Sequence, residues 1–551
     1  MQVCFDAWTP CVARACIYAL TEMMQLQFFT TANLDRFYEC HSNRQGIAVL
    51  AFDVESVDAI HSNYKALHPK LIWARNDYDS TKILEVFAYY SNSNDEGIKE
   101  ADRGTILRFV ERDHTDNTTS VLPGLIPVNA VFDQPSQPAY CDHWVSNVHS
   151  RTDFLSTLHD TLGFVPKVDF NAGVVAAGEA QIESTVTGND TPAVLMDAEN
   201  SSLRNQSQVY LPINNDLSQV GHVYGFLKEI GQGIQHVASR VANLVEFVQT
   251  ANDWREMTGE GFSFLSIPRS YYGTLTTKQL VDAGLSSEFA ATILELCENL
   301  QIMSIDGAVD LSMDENKVDR HLQSVLDGSP HYNEYMEKKE RTIATILKSR
   351  YINLHSLLKN HIPESSYLGI VRNQILVDVQ GEDLLYQIFT SNILQRNSGE
   401  EAPFLEFIQR VCSEEQKCSG CPVKIRPGCG GFGIRNFLTL FLSIELSKAM
   451  RDVKEAGDDA KLRAAAQAMV DCFTDQLTES NPILTEISDA MTRERHCHDM
   501  LLETKDAASK DMWREQLEIS NQAKLNGNRK LMDCSNKYKN RMIALREGMA
   551  D

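Results

Sequence analysis

The chain alternates between short stretches of apolar and polar residues at strand spacing and longer stretches at helical spacing. Residues 1–5, 46–54 and 105–110 read as strands, and 10–26 and 57–67 as helices. The two-proline run 131–138 marks a boundary. Beyond it the order recurs: a strand at 141–148, a helix at 151–162, and strands at 181–187 and 208–213. A further round begins with a strand at 233–238 and a helix at 241–257. It continues with β-like 262–267 and strands at 373–379, 384–390 and 403–409. A strand and helix followed by strands, more than once, predicts stacked copies of one small supersecondary unit. Two stretches break the pattern. Residues 308–366 are charged and helical in period and read as an insertion, and 456–551 read as two or three helices with a turn at Asn526-Gly527. That tail is a candidate for self-association, so a homo-oligomer is expected.

Composition narrows the classes. The 551 residues are 43% hydrophobic and 23% charged, which is ordinary for a globular protein with room for several domains. A net charge of -24 argues against nucleic acid and anionic membrane as partners. A local basic or metal-bearing pocket can still take an anionic small molecule. No apolar run reaches the ~20 residues that span a bilayer. Thirteen cysteines without a repeated framework fit a reducing compartment. With no basic leader at the N-terminus, a cytoplasmic protein is expected, and the sequons at Asn117, Asn200 and Asn205 carry little weight.

Three strands carry candidate metal ligands. Glu406 lies in Phe404-Leu-Glu-Phe-Ile-Gln-Arg410, sharing a face with Phe404 and Ile408. A carboxylate there is either turned to water at an edge or held by a partner or metal. His143 shares a face with Val145 and Asn147, and His236 with Ile234 and Ala238. A lone strand His is most often plain core or surface, but two of them with a late-strand Glu can form a two-His, one-carboxylate iron site. Same-face residues nearby would line a pocket for an aromatic substrate with a polar end: Gln387 and Phe389, Asn214, and Ser184. Core packing is the plain alternative for Phe389 and Phe404. Glu445, on a helix, is a rival acid.

Cys412, Cys418, Cys421 and Cys429 form a C-x5-C-x2-C-x7-C array that fits no common zinc module, so reduced loop thiols are expected ahead of structural zinc. His496 and His498 fall on different sides of a helix and make a poor metal pair. The glycines of Gly428-Cys-Gly-Gly-Phe-Gly433 are not followed by the Lys-Ser/Thr of a phosphate loop.

Seven segments, taken in order, resemble the 4-hydroxyphenylpyruvate dioxygenase family of the vicinal-oxygen-chelate fold. They are Asp142-His143-Trp-Val-Ser-Asn-Val, Leu211-Pro-Ile-Asn214, Gly233-Ile-Gln-His236-Val-Ala and Phe264-Leu-Ser-Ile-Pro-Arg-Ser-Tyr-Tyr272. The others are Leu385-Tyr-Gln-Ile-Phe-Thr390, Phe404-Leu-Glu-Phe-Ile-Gln-Arg410 and Gly430-Gly-Phe-Gly-Ile-Arg-Asn-Phe437. The likeness covers about 140–300 and 368–450, is weak over 1–130, and is absent from the insertion and tail.

The resemblance implies an α+β fold with two open-barrel domains of paired βαβββ modules, the first (1–130) structural. The second (139–307 and 367–455) would be catalytic, with 308–366 a helical insertion and 456–551 a helical tail. It implies one Fe(2+) per chain on His143, His236 and Glu406. Ser184, Asn214, Gln219, Gln235, Gln387, Phe389, Phe404, Phe432, Asn436 and Phe437 would bind substrate. Gln235 needs a bulge, because strict alternation turns it away from His236. Arg435 stands where the family has a small residue, and would narrow the entrance or alter closing of its helix. The implied reaction converts 4-hydroxyphenylpyruvate and O2 to homogentisate and CO2. The alternatives are a related 2-oxo acid oxygenase such as a hydroxymandelate synthase, and a non-catalytic scaffold acting through its tail.

Overall fold

A computed structural model describes residues 31–41, 46–77, 81–91, 99–112, 140–177, 180–188, 209–219, 221–391, 401–412, 429–457 and 459–550. The strand expected at 1–5, the helix at 10–26, the linker at 131–138 and all three sequons lie outside these residues. The chain divides into two compact units: Met1–Leu265 with Asp383–Gly430, and Ser266–Glu382 with Gly431–Asp551. Each mixes helices and strands or is built largely of helices, so the protein is mixed α/β.

One strand–helix–strand plan recurs in the first unit. Strand β1 (Val49–Asp53) leads to a helix, Val57–Leu67, and then to β2 (Ile72–Asp77), β3 (Thr81–Phe87) and β4 (Ile106–Arg112). The sheet order is β1-β4-β3-β2, with β1 parallel to β4. The next round has β5 (Tyr140–Asn147), the helix Arg151–Leu162, β6 (Val165–Ala177), β7 (Ala180–Gly188) and β8 (Tyr210–Asp216). Here too the first strand pairs parallel with the fourth, in the order β5-β8-β7-β6. The third has β9 (Gly233–Arg240) and the helix Leu244–Thr258. Its later strands are β10 (Leu376–Gln380), which belongs to the second unit, β11 (Asp383–Phe389) and β12 (Phe404–Val411). Strand β9 runs parallel to β12, and β12 antiparallel to β11. The antiparallel pair β5–β9 joins the second and third rounds into one sheet.

The three helices start in the same way. Ser56, Ser150 and Asn243 each accept a hydrogen bond from the backbone N–H three residues on, and Asp58, Asp153 and Glu246 place a negative charge in the first turn. Both features favour initiation at that point, since they satisfy free N–H groups and oppose the helix dipole. The helices end on Gly163 and Gly259 in the second and third rounds, both left-handed. Alternation alone misses β2, and burial of nearly every residue of β3 hides its period. Within this unit the first sheet packs on β5, where Phe52 meets Trp144 edge-on and Tyr89 bonds Ser146.

The second unit is mainly helical. Its helices run from Arg269 rather than from 308, because the helices of 277–299 share one core with those of 315–348, including Phe289, Ile293, Leu322, Tyr335 and Ile346. The tail consists of two helices, Ala460–Glu503 and Ala507–Ala550. Asn526-Gly527 is no turn; it lies inside the second of these. Gly527 faces Ile487, and a Cβ there would fall 2.6 Å from Ile487 Cγ1. The glycine serves close helix approach. Pairs Glu494–Lys524, Glu486–Lys530, Glu479–Lys537 and Asp475–Arg541 line the hairpin. No helix among the described residues is long and apolar enough to cross a membrane.

Candidate metal centre

His143, His236 and Glu406 meet. They sit on β5, β9 and β12, which are neighbours in the sheet, and their ligand atoms all lie within 4.8 Å of one another. His143 Nε2 is 3.1 Å from Glu406 Oε2, and His236 Nε2 is 3.4 Å from the same oxygen. Two ligands held at about 2.1 Å on adjacent corners of an octahedron are about 3 Å apart, so each histidine lies at a spacing from Glu406 that fits neighbouring ligands of one ion. The donor set of two imidazoles and a carboxylate suits Fe(II) with open positions. The bulk of Glu406 is buried, so the edge-strand reading fails for it.

The register explains the convergence. Ala238 on β9 is paired with Glu406 on one side and His143 on the other. All three project from one face with His236, two residues away. Ala238 is fully buried and adds almost no bulk between the ligands.

Two interruptions in the β5–β9 ladder orient the imidazoles. Strand β5 carries an extra residue at Asp142, between the pairs Cys141–Ser239 and His143–Ala238. Strand β9 carries one at Gln235, between His236–Val145 and Ile234–Ser146. Each bulge turns the residue before the histidine toward it. Asp142 Oδ1 is 2.8 Å from His143 Nδ1, and Gln235 Oε1 is 3.2 Å from His236 Nδ1. Asp142 in turn accepts two bonds from Arg410, Nε to Oδ2 and Nη2 to Oδ1, each 2.8 Å. Arg240 Nε lies 2.8 Å from Oδ2. Gln387 Nε2 donates to the second oxygen of Glu406 at 2.7 Å.

These neighbours set the charges. Burial would raise the Glu406 carboxyl, but the two imidazoles hold it down to about 2. Burial would lower His143, yet Glu406 and Asp142 lift it to about 9. His236 is lowered by burial, with Glu406 opposing. Arg410 and Arg240 overcome burial at Asp142 and keep it well below the usual carboxylate range.

The other expected residues divide. Phe404 stacks on His236 at 4.7 Å between centroids, and Phe389 meets the same ring edge-on at 6.1 Å. Ser184 and Asn214 are paired across β7 and β8, and Asn214 Nδ2 donates to Asn147 Oδ1 at 3.3 Å. Gln219 is exposed in the bend after β8. Phe432, Asn436 and Phe437 belong to the second unit, where Asn436 Oδ1 accepts from Tyr271 Oη at 2.8 Å. Arg435 there bonds Asn481 and Thr485 of the tail and sits 3.5 Å from Asp378, so it ties the helix Ile434–Glu455 to its neighbours. Glu445 pairs with Lys448 on that helix.

Sequence reading missed four site residues. Asp142 escapes alternation because the bulge reverses its face, whereas Arg240 and Arg410 fall on the ligand face by alternation but nothing local links them to Asp142 on β5. Asn147 is fully buried, and its Nδ2 has no hydrogen-bond partner among the described residues. Its place on the His143 face was the available signal. The cysteine array is also corrected: Cys412 and Cys429 form a disulfide, with Cα atoms 5.7 Å apart. They are neither free thiols nor zinc ligands. Cys418 and Cys421 lie outside the described residues.

No family profile matches the sequence, and no curated protein matches it. Among solved structures, a triple mutant of 4-hydroxymandelate synthase from Streptomyces coelicolor is 14% identical, covering 76% of this chain and 82% of that one, with a TM-score of 0.39. A fusion of a xylose isomerase-like TIM barrel with 4-hydroxyphenylpyruvate dioxygenase is 13% identical over 71% of this chain and 41% of that chain, TM-score 0.34. Methylmalonyl-CoA epimerase from Mycobacterium tuberculosis is 16% identical over 23% and 67%, TM-score 0.16. Superpositions below 0.5 decide nothing about chemistry, which rests on the triad.

Proposed function

We propose that the protein is an Fe(II)-dependent oxygenase that converts 4-hydroxyphenylpyruvate and O2 to homogentisate and CO2. The observation that carries this reading is the convergence of His143, His236 and Glu406 at ligand spacing on one buried sheet face. Bound iron would supply the Lewis-acid and one-electron chemistry that couples O2 to a 2-oxo acid. The protein's own groups would do the rest. Gln387 holds one oxygen of Glu406 and so turns the other toward the histidines. Phe389 and Phe404 wall the His236 side with apolar rings, which would exclude water and pack on an aromatic substrate. Asn147, four residues along β5 from His143, is roughly 13 Å away along the strand. Its amide donor, unpaired among the described residues, suits the phenolic end of an arylpyruvate, with Ser184 and Asn214 in the same row.

Product analysis tests the reading. The iron-loaded protein, given 4-hydroxyphenylpyruvate and air, is expected to release homogentisate and CO2 in equal amounts. Formation of 4-hydroxymandelate in place of homogentisate, or no oxygen uptake, would contradict it.

A further inference from the structure

We infer that Asp142 is a positioning residue for the metal centre, fixing His143 as an Nε2 ligand through a buried charged clamp that His236 lacks. The inference rests on the metal site proposed above. Four features carry it. Asp142 is an inserted residue in β5, placed by a bulge against the next side chain. One of its oxygens faces His143 Nδ1 at 2.8 Å, and a ring nitrogen facing an ionised carboxylate keeps its proton, leaving Nε2 as the lone-pair donor. Arg410 grips both oxygens as a fork, and Arg240 closes on Oδ2 from β9. Arg410 is itself fixed by a bond from Nη1 to the carbonyl of Cys429, the residue tied to Cys412.

The two histidines are therefore unequal. His236 faces the neutral amide oxygen of Gln235 at 3.2 Å, a weaker and longer contact. A carboxylate acceptor raises the basicity of the imidazole it faces, so His143 would be the stronger donor and the fixed point of the site.

The test uses the full-length protein with Zn(II) and Co(II) as probes. In the zinc form, 15N spectra of labelled histidine are expected to show His143 protonated at Nδ1 and ligated at Nε2. Arg410→Lys keeps the charge but loses the fork, and Asp142→Asn keeps an acceptor but loses the charge. Each is expected to weaken Co(II) binding roughly 10- to 100-fold and to shift the visible cobalt bands, with circular dichroism unchanged. Should Asp142→Asn fail to fold, Arg410→Lys and the wild-type spectrum still decide. A His143 ligated through Nδ1, or variants with wild-type cobalt affinity and bands, would overturn the inference while leaving the proposed oxygenase standing. Expected spectra from a protein that makes no homogentisate would uphold the clamp and remove the proposed reaction. Failure of the wild type to bind either metal would overturn both.

Discussion

His143 Nε2 stands 3.1 Å from Glu406 Oε2 although β9 lies between their strands, and the residue paired with both is Ala238. The smallest chiral side chain thus occupies the centre of the three-strand platform. A leucine at 238 would crowd the ligands and the neighbouring Leu385 and Ile408. Ala238→Leu should cost about 1–3 kcal/mol of stability and weaken metal binding at least tenfold, read by chemical denaturation and cobalt titration. Wild-type affinity in this variant would show that the site does not lie over Ala238.

Asn147 should separate substrate binding from metal binding. Asn147→Ala removes a donor unpaired among the described residues and an acceptor for Asn214 without touching a ligand. KM for 4-hydroxyphenylpyruvate should rise about tenfold, in line with the loss of one hydrogen bond, while iron stoichiometry stays at one. An unchanged KM would remove Asn147 from the pocket.

His41 predicts an acid limit for the first unit. It is buried, stacks on Phe37 at 4.2 Å, and is lowered to about 4 by burial and by Arg36. The unfolded chain, with an ordinary histidine near 6.5, binds the proton more readily, so stability falls as pH drops from about 6.5 toward 4. The loss attributable to this group reaches about 3 kcal/mol. His41→Gln should flatten that part of the stability–pH curve; an identical slope in wild type and variant would refute the assignment.

Gly527 can be tested by a double-mutant cycle. Gly527→Ala would gain about 1 kcal/mol of helix propensity, but its Cβ meets the stem of Ile487 at 2.6 Å. A net destabilisation of roughly 1–2 kcal/mol is expected in thermal or urea melts, and much of it should vanish in the Ile487→Ala background. Additive effects would mean the helices do not approach at this point.

Much of this was readable from residues alone where local rules govern. The helices Val57–Leu67 and Arg151–Leu162 follow from their Ser caps, first-turn acids and spacing. The triad was readable because each ligand interrupts an apolar strand. What escaped depends on pairing between strands. Alternation puts Asp142 and Gln235 on the wrong face, and only a bulge, visible in the register, reverses them. Arg410 reaches Asp142 across 268 positions of sequence, which no local pattern encodes. Asn526-Gly527 carries a turn signal that helix packing against Ile487 overrides. The Cys412–Cys429 pairing likewise depends on where β12 ends and not on cysteine spacing.

Anaerobic Fe(II) titration of the purified chain tests the central claim most directly. The account predicts saturation at one iron per chain in the wild type, and loss of at least 100-fold in affinity for His236→Ala and for Glu406→Ala, both still folded. A wild type that takes up no iron, or variants that bind it as tightly as the wild type, would contradict it.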